Sequence, residues 1–238
     1  MNLTKRPAAA RGKTELGWLH SQHTFSFGEY QDPAHTNFRA LRVINDDIVE
    51  PGKGFGTHSH RDAEILSYVL EGQLAHKDSM GNGSVIERGS LQYMSAGQGV
   101  SHSEFNPSRD ARAHFLQIWI LPDGSGGEPR YAEKQLPTAA KPNSLTLVFA
   151  GKPRDEAIAI RADADVYLGK LDAGRKLVHQ TTRDRGLWIH VVEGDVTLGD
   201  SAAGGARLAA GDGAAIEEVS ELEIESPTGA EFLLFDLR

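Results

Sequence analysis

Short apolar runs, most of four to eight residues and rich in Val, Ile, Leu and aromatics, recur along this chain between glycine and proline turns. The plainest are Ala40–Ile44, Glu64–Leu70, Ser84–Glu87, Leu91–Met94, His114–Leu121, Ser144–Phe149, Leu187–Val192 and Glu231–Leu237. They are too short for ordinary helices. Their interruption by Pro51-Gly52, Gly97-Gln98-Gly99 and Gly211-Asp212-Gly213 is the punctuation of an all-β sandwich or barrel. One or two helical turns are expected at Pro129–Leu136. The segment Pro122–Gly127 is the most linker-like, and it divides the chain into domains 1–125 and 126–238.

Shifted by 122 residues, the chain matches itself without a gap: Gly52 falls on Gly174, Arg61 on Arg183, Glu71-Gly72 on Glu193-Gly194 and Gly89 on Gly211. Apolar positions follow, with Val69 on Val191, Leu70 on Val192, Leu74 on Val196 and Met94 on Ile216. Turns and strands that coincide together predict two related β-barrels in tandem.

Composition narrows the chemistry. The 238 residues include no cysteine, which excludes a thiol nucleophile, a zinc ribbon, an iron–sulfur cluster and a disulfide framework. Any metal must sit on histidines and carboxylates. With 25 Lys and Arg against 33 Asp and Glu the formal charge is −8, which argues against nucleic acid or an anionic membrane as partner. No stretch approaches the roughly 20 apolar residues of a membrane span, and the basic start lacks a signal-peptide core, so a soluble cytoplasmic protein is expected. A P-loop, a dinucleotide G-x-G-x-x-G after a strand and a G-x-S-x-G elbow are all missing from the sequence.

The sharpest feature is His58-Ser59-His60, followed by Glu64 and the strand-like run Ile65–Leu70. On a strand His58 and His60 share a face, which makes a two-point metal clamp. His102-Ser103-Glu104 repeats the spacing. Two such clamps facing each other inside a barrel offer three imidazoles and a carboxylate, with positions left open for water, substrate or dioxygen. Fe, Cu, Ni, Mn and Zn are all compatible with that set. If the strand runs through without a bulge, Glu64 is a same-face companion, either a fifth ligand or an acceptor for an imidazole N–H. Under the 122-residue shift the four positions become Gln180, Thr182, Ile224 and Ser226, so the second barrel is expected to carry no metal. His20, His23, His35, His76, His114 and His179 show no pairing at ligand spacing and read as surface or hydrogen-bonded residues, and His190 as an ordinary core or edge histidine.

Gly52-x5-His58-x-His60-x3-Glu64, and Gly89 with the later His102-x3-Asn106, resemble the two cupin motifs, and the tandem barrels resemble a bicupin built from double-stranded β-helix jelly rolls. HSHRDAEILSYVLEG, AGQGVSHSEFNPS and the upstream LRVINDDIVEPGKGFGTHSH resemble the pirin family, in particular its bacterial quercetin-dioxygenase-like members. The likeness runs through both halves and is strongest from Gly17 to Pro122. Ser95 stands where the second motif usually has Pro, and there is an extra residue between Glu64 and Gly72. The resemblance implies Glu104 as the carboxylate ligand, with Glu64 outside the ligand set, and one divalent metal ion, Fe(II) first, in the N-terminal barrel. It further implies opening of the flavonol quercetin by dioxygen with release of carbon monoxide. In that chemistry the metal acidifies the flavonol 3-hydroxyl and Glu104 accepts its proton. Phe55, Phe105 and Phe115 are candidates to sandwich the flat ring.

Eukaryotic relatives imply a different class, a metal-binding regulatory protein that modulates a transcription factor or enzyme partner without turnover. Another cupin reaction on a sugar or small acid is the third reading, and a narrow polar pocket would favour it.

Overall fold

The computed structural model describes residues 1–135, 142–199 and 205–238. Their regular structure is β-strand, apart from one 3-10 turn at Ala8–Ala10. The chain divides into two compact units: Gly12–Pro137 with Ile160–Ala162, and Met1–Arg11 with Thr138–Ala159 and Asp163–Arg238. The opening strand β1 (Asn2–Arg6) belongs to the second of these.

The first unit contains β2 (Gly12–Glu15), β3 (Leu19–His23), β4 (Leu41–Val49), β5 (Gly54–His60), β6 (Glu64–Glu71), β7 (Gln73–Asp78), β8 (Gly83–Glu87), β9 (Ser90–Ser95), β10 (Val100–Phe105), β11 (Ala113–Ile120) and β12 (Arg130–Gln135). They form a seven-stranded sheet in the order β12-β9-β6-β11-β4-β3-β2 and a four-stranded sheet β5-β10-β7-β8. The sheets share a core in which Leu19, Val49, Val69 and Phe115 of the larger pack with Leu74 and Ile86 of the smaller. Strand β6 is buried from Glu64 to Leu70, since it lies near the middle of its sheet and both its faces are covered.

The second unit contains β13 (Ser144–Ala150), β14 (Ile158–Ala159), β15 (Ala164–Leu171), β16 (Arg175–Gln180), β17 (Gly186–Leu198), β18 (Ala206–Ala209), β19 (Gly213–Glu217), β20 (Glu221–Ser226) and β21 (Ala230–Leu237). Its main path runs β1-β19-β17-β21-β15-β13-β14, and β20 pairs both β16 and the far end of β17. Large apolar side chains fill it, among them Leu187, Ile189, Leu208, Leu222, Ile224 and Phe232.

All eight apolar runs are strands. Pro129–Leu136 is not helical: β12 pairs with β9 from Arg130↔Ser95 to Gln135↔Ser90, because an open sheet edge satisfies its backbone, and Leu136 lies outside the described residues. Pro122–Gly127 is a loop tied to the first unit, where the Gly126 N–H donates to Asp62 Oδ1 (2.5 Å) and the Gln98 N–H to the Gly127 carbonyl (2.8 Å). Strand β12 thus belongs with the first compact unit, although it follows the linker-like segment.

Candidate metal centre

Strands β5 and β10 are antiparallel neighbours with His58 directly across from His102. Inward-facing positions alternate along each, and a bulge between His102 and Glu104 shifts the register so that Glu104 opposes Phe55. Gly54 makes the close approach possible: a Cβ there would lie 2.2 Å from the Glu104 carbonyl oxygen.

Three imidazole nitrogens converge. His102 Nε2 lies 3.1 Å from His58 Nε2 and 2.9 Å from His60 Nε2. Donors about 2.1 Å from one ion lie about 3.0–3.4 Å from each other, so these two separations suit nitrogens that share a metal ion. Burial, with the His58 ring beside it, pushes His60 down to about 4, and burial with the His60 and His58 rings pushes His102 down to about 3. Both are neutral at neutral pH and offer lone pairs. The His58 Nδ1–H donates to the Gly56 carbonyl (2.8 Å), which leaves its Nε2 free to ligate.

Glu104 is buried beside this triplet. Its Oε2 accepts from Gln117 Nε2 at 2.7 Å, and burial, with the Asp47 carboxyl nearby, pushes it up to about 8. Among the described residues, two groups of three have ligating atoms within 4.8 Å of one another: His58, His60 and His102, and His76, His102 and Glu104. The fourth predicted residue is thus grouped with His102 and His76 rather than with all three predicted imidazoles.

Glu64 points elsewhere. The turn at Arg61–Ala63, with Asp62 at φ 50°, separates β5 from β6, so strand parity does not carry across it. The Glu64 carboxylate accepts from Tyr93 Oη (2.5 Å), Ser95 Oγ (2.6 Å) and the Arg161 N–H (2.9 Å). Ser95, the departure from the usual proline, thereby supplies one of its donors.

Reading the sequence missed His76. It is buried, its ring stacks on Tyr131 (5.0 Å between centroids, 25° between planes), and it reaches Asp78 and His102. The available signal was His76-x-Asp78, a same-face pair with the spacing of the two clamps.

A cavity of about 370 Å³ opens beside the imidazoles. Leu16, Leu19, Phe27, Phe55 and Trp119 form its apolar wall, while Asn45, Asp47, Glu104 and Gln117 give it a polar side. Of the predicted aromatics only Phe55 lines it. Phe105 is 40% exposed, and Phe115 is fully buried in the core. Trp119, hidden in a run that reads as plain core, instead stands edge-on to His60 (4.9 Å) and to Phe27 (5.5 Å). Asp47 is 3% exposed with no partner for Oδ1, and burial pushes its carboxyl up to about 7 against a hydrogen bond from Ser21.

In the second unit the ungapped 122-residue register fails locally. Gln180 and Thr182 are exposed, whereas His179, one position off, is buried and bonded to Asp236 Oδ2 at 2.9 Å. Leu177, not Gln180, opposes Ile224 across β16 and β20. A shift of one residue on a strand reverses the face it presents. His190 is buried within β17.

Fold and site together define a two-barrel cupin protein, and the comparisons with known proteins say which kind. The pirin family model matches residues 4–120, and a model described as the quercetinase C-terminal cupin domain matches residues 147–237. The chain is 44% identical over 232 residues to quercetin 2,3-dioxygenase of Escherichia coli K12, covering 98% of this chain and 97% of that protein. It is 36% identical to a pirin-like protein of Caulobacter vibrioides over 98% of this chain and 99% of that one. The crystal structure of the bacterial pirin YhhW from Escherichia coli in complex with nickel(II) superposes with a TM-score of 0.93 at 43% identity, covering 99% of each chain. This chain belongs to the pirin family. Among its described residues no helix is long and apolar enough to cross a membrane.

Proposed function

We propose that the first barrel holds one divalent metal ion, Fe(II) in the native protein, on His58, His60, His102 and Glu104, that the second holds none, and that the chain uses dioxygen to open the heterocyclic ring of flavonols such as quercetin with release of carbon monoxide. The observation that carries this reading is the convergence of three imidazoles, with His102 Nε2 about 3 Å from the Nε2 of both His58 and His60, at the wall of a cavity that also presents a buried carboxyl. The relative captured with nickel(II) supports a divalent ion at this donor set. When bound, such an ion supplies the positive charge that acidifies a substrate hydroxyl.

The remaining work falls to the chain's own side chains. Glu104, whose ionised form a bound cation would favour against its burial, accepts the proton of the flavonol 3-hydroxyl, and Gln117 orients it through the Nε2–H to Oε2 bond. Phe27, Phe55 and Trp119 suit a flat ring and keep water from it. Asp47, with an oxygen that lacks a partner, suits a substrate hydroxyl at the polar side. The mixed, largely apolar wall favours an aromatic substrate over a sugar.

The test is metal analysis of protein purified without chelator, together with oxygen uptake and loss of flavonol absorbance. One metal per chain and turnover of quercetin but not of luteolin, which lacks the 3-hydroxyl, are expected. Equal turnover of the two contradicts the proton-transfer role. No flavonol turnover with any of several metals moves the protein to the regulatory reading.

A further inference from the structure

Along the sheet order β5-β10-β7, three neighbouring strands each carry an inward pair at the same spacing: His58-x-His60, His102-x-Glu104 and His76-x-Asp78. The register sets Asp78 across from His102 and His76 across from Glu104. The third pair is sealed from solvent, the side chains of His76 and Asp78 being 1% and 0% exposed. His102 Nδ1 faces His76 Nδ1 at 3.5 Å, and His76 Nε2 faces Asp78 Oδ2 at 3.3 Å. Asp78 is itself fixed by the β7–β8 hairpin, accepting from the Met80 N–H (2.9 Å), the Asn82 N–H (3.0 Å) and the Asn82 Nδ2 (2.9 Å).

One proton arrangement satisfies this row. A carboxylate can only accept, so His76 carries its proton on Nε2 and donates it to Asp78. A neutral imidazole protonated there has a bare Nδ1, which must accept from His102. His102 then carries its proton on Nδ1, and its lone pair lies on Nε2, the nitrogen that meets His58 and His60. Both contacts in the row are long for hydrogen bonds. Burial nevertheless makes them matter, because His102 is 2% exposed and its N–H has no bulk water to turn to. His58 hands its second N–H to a backbone carbonyl, whereas His102 hands its own to an imidazole backed by a carboxylate.

We propose that His76, held by Asp78, is a positioning residue that locks His102 in the tautomer and orientation presenting Nε2 to the metal ion. This rests on the reading of His58, His60 and His102 as ligands.

The experiment titrates Co(II) into metal-free wild-type, His76→Leu and His76→Gln proteins and follows the exchangeable, hyperfine-shifted imidazole N–H signals by proton NMR. Leucine removes the acceptor and should weaken Co(II) binding about 10–100-fold and abolish the slowly exchanging His102 N–H signal. Glutamine can accept from His102 and donate to Asp78, so it should restore most of the affinity and the signal. If His76→Leu fails to fold, Asp78→Asn carries the test: its amide presents an N–H to His76, reverses the row and should weaken Co(II) binding to a similar degree. The proposal is overturned if the folded Leu or Asn variant binds Co(II) like wild type, or if Gln is as impaired as Leu. Co(II) retained by His58→Ala/His60→Ala overturns it as well, by putting the ion on His76 itself. Wild-type protein that binds no Co(II) instead overturns the ligand reading beneath it.

Discussion

The two barrels place different chemistry on matching strands. In the first, β5 and β10 turn His58, His60, His102 and Glu104 inward, beside a cavity. In the second, β16 and β20 turn Leu177, His179, Leu222, Ile224 and Ser226 inward, and the interior is filled with aliphatic side chains and Phe232. Phe232 packs so closely over Gly169 that a Cβ there would lie 2.3 Å from its ring. The one buried histidine on β16 hydrogen-bonds to Asp236: although burial would raise the Asp236 carboxyl, hydrogen bonds from His179 and Arg185 hold it below its ordinary range. A metal site is thus a matter of a few inward positions, not of the barrel. Keeping those positions polar leaves the first barrel with a hollow and several buried polar groups, both of which cost stability.

The largest expected effect comes from Glu104→Gln. The amide can still coordinate but cannot take a proton near neutral pH, so turnover should fall about a hundredfold to ten-thousandfold while more metal is retained than in His102→Ala. Steady-state oxygen uptake on metal-loaded protein checks it, and near-normal rates would remove Glu104 from proton transfer. Next, Ile224→Ala should cost about 2–5 kcal/mol in the second barrel by opening a cavity, with no change in metal per chain, whereas His58→Ala/His60→Ala should abolish metal binding. Denaturant unfolding and elemental analysis, run on both, separate filler from function. The reverse pattern would mean that the second barrel shares in the site.

The smallest effect concerns Asp47. Its folded carboxyl keeps its proton up to about pH 7, while in the unfolded chain it ionises near 3.8. Between those values the unfolded state holds fewer protons, so stability falls as pH rises from about 4 to 7 and levels off above. The shift corresponds to at most about 4 kcal/mol. Asp47→Asn should remove this slope, so its stability relative to wild type should be higher at pH 8 than at pH 4.5. Parallel slopes for the two proteins would show Asp47 ionised in the fold.

The eight apolar runs revealed the central strands because burial on both faces makes a strand nearly continuous in Val, Ile and Leu. Strands such as β2, β7 and β12 were silent, since an edge strand or one with a polar face carries little hydrophobic signal. The clamps were legible because period-2 spacing is local. The role of Glu64 was not legible, because nothing in Arg61-Asp62-Ala63 announces a break in parity; its partners lie on β9 and at Arg161. Trp119 and His76 reach the site only through strand pairing, which is a long-range property.

Strand β1 also has a consequence in time. It is synthesised ahead of the whole first barrel, yet its partner is β19, with Asn2 across from Glu217, and Lys5 pairs with Asp212 at 2.7 Å. At usual translation rates roughly 200 residues take about 10–40 seconds to make. During that interval β1 has no edge to join, while the strands of the first barrel, made in between, already have their partners. The emerging chain should therefore complete its first barrel first and hold β1 as an open clasp, fastened only when the second sheet arrives.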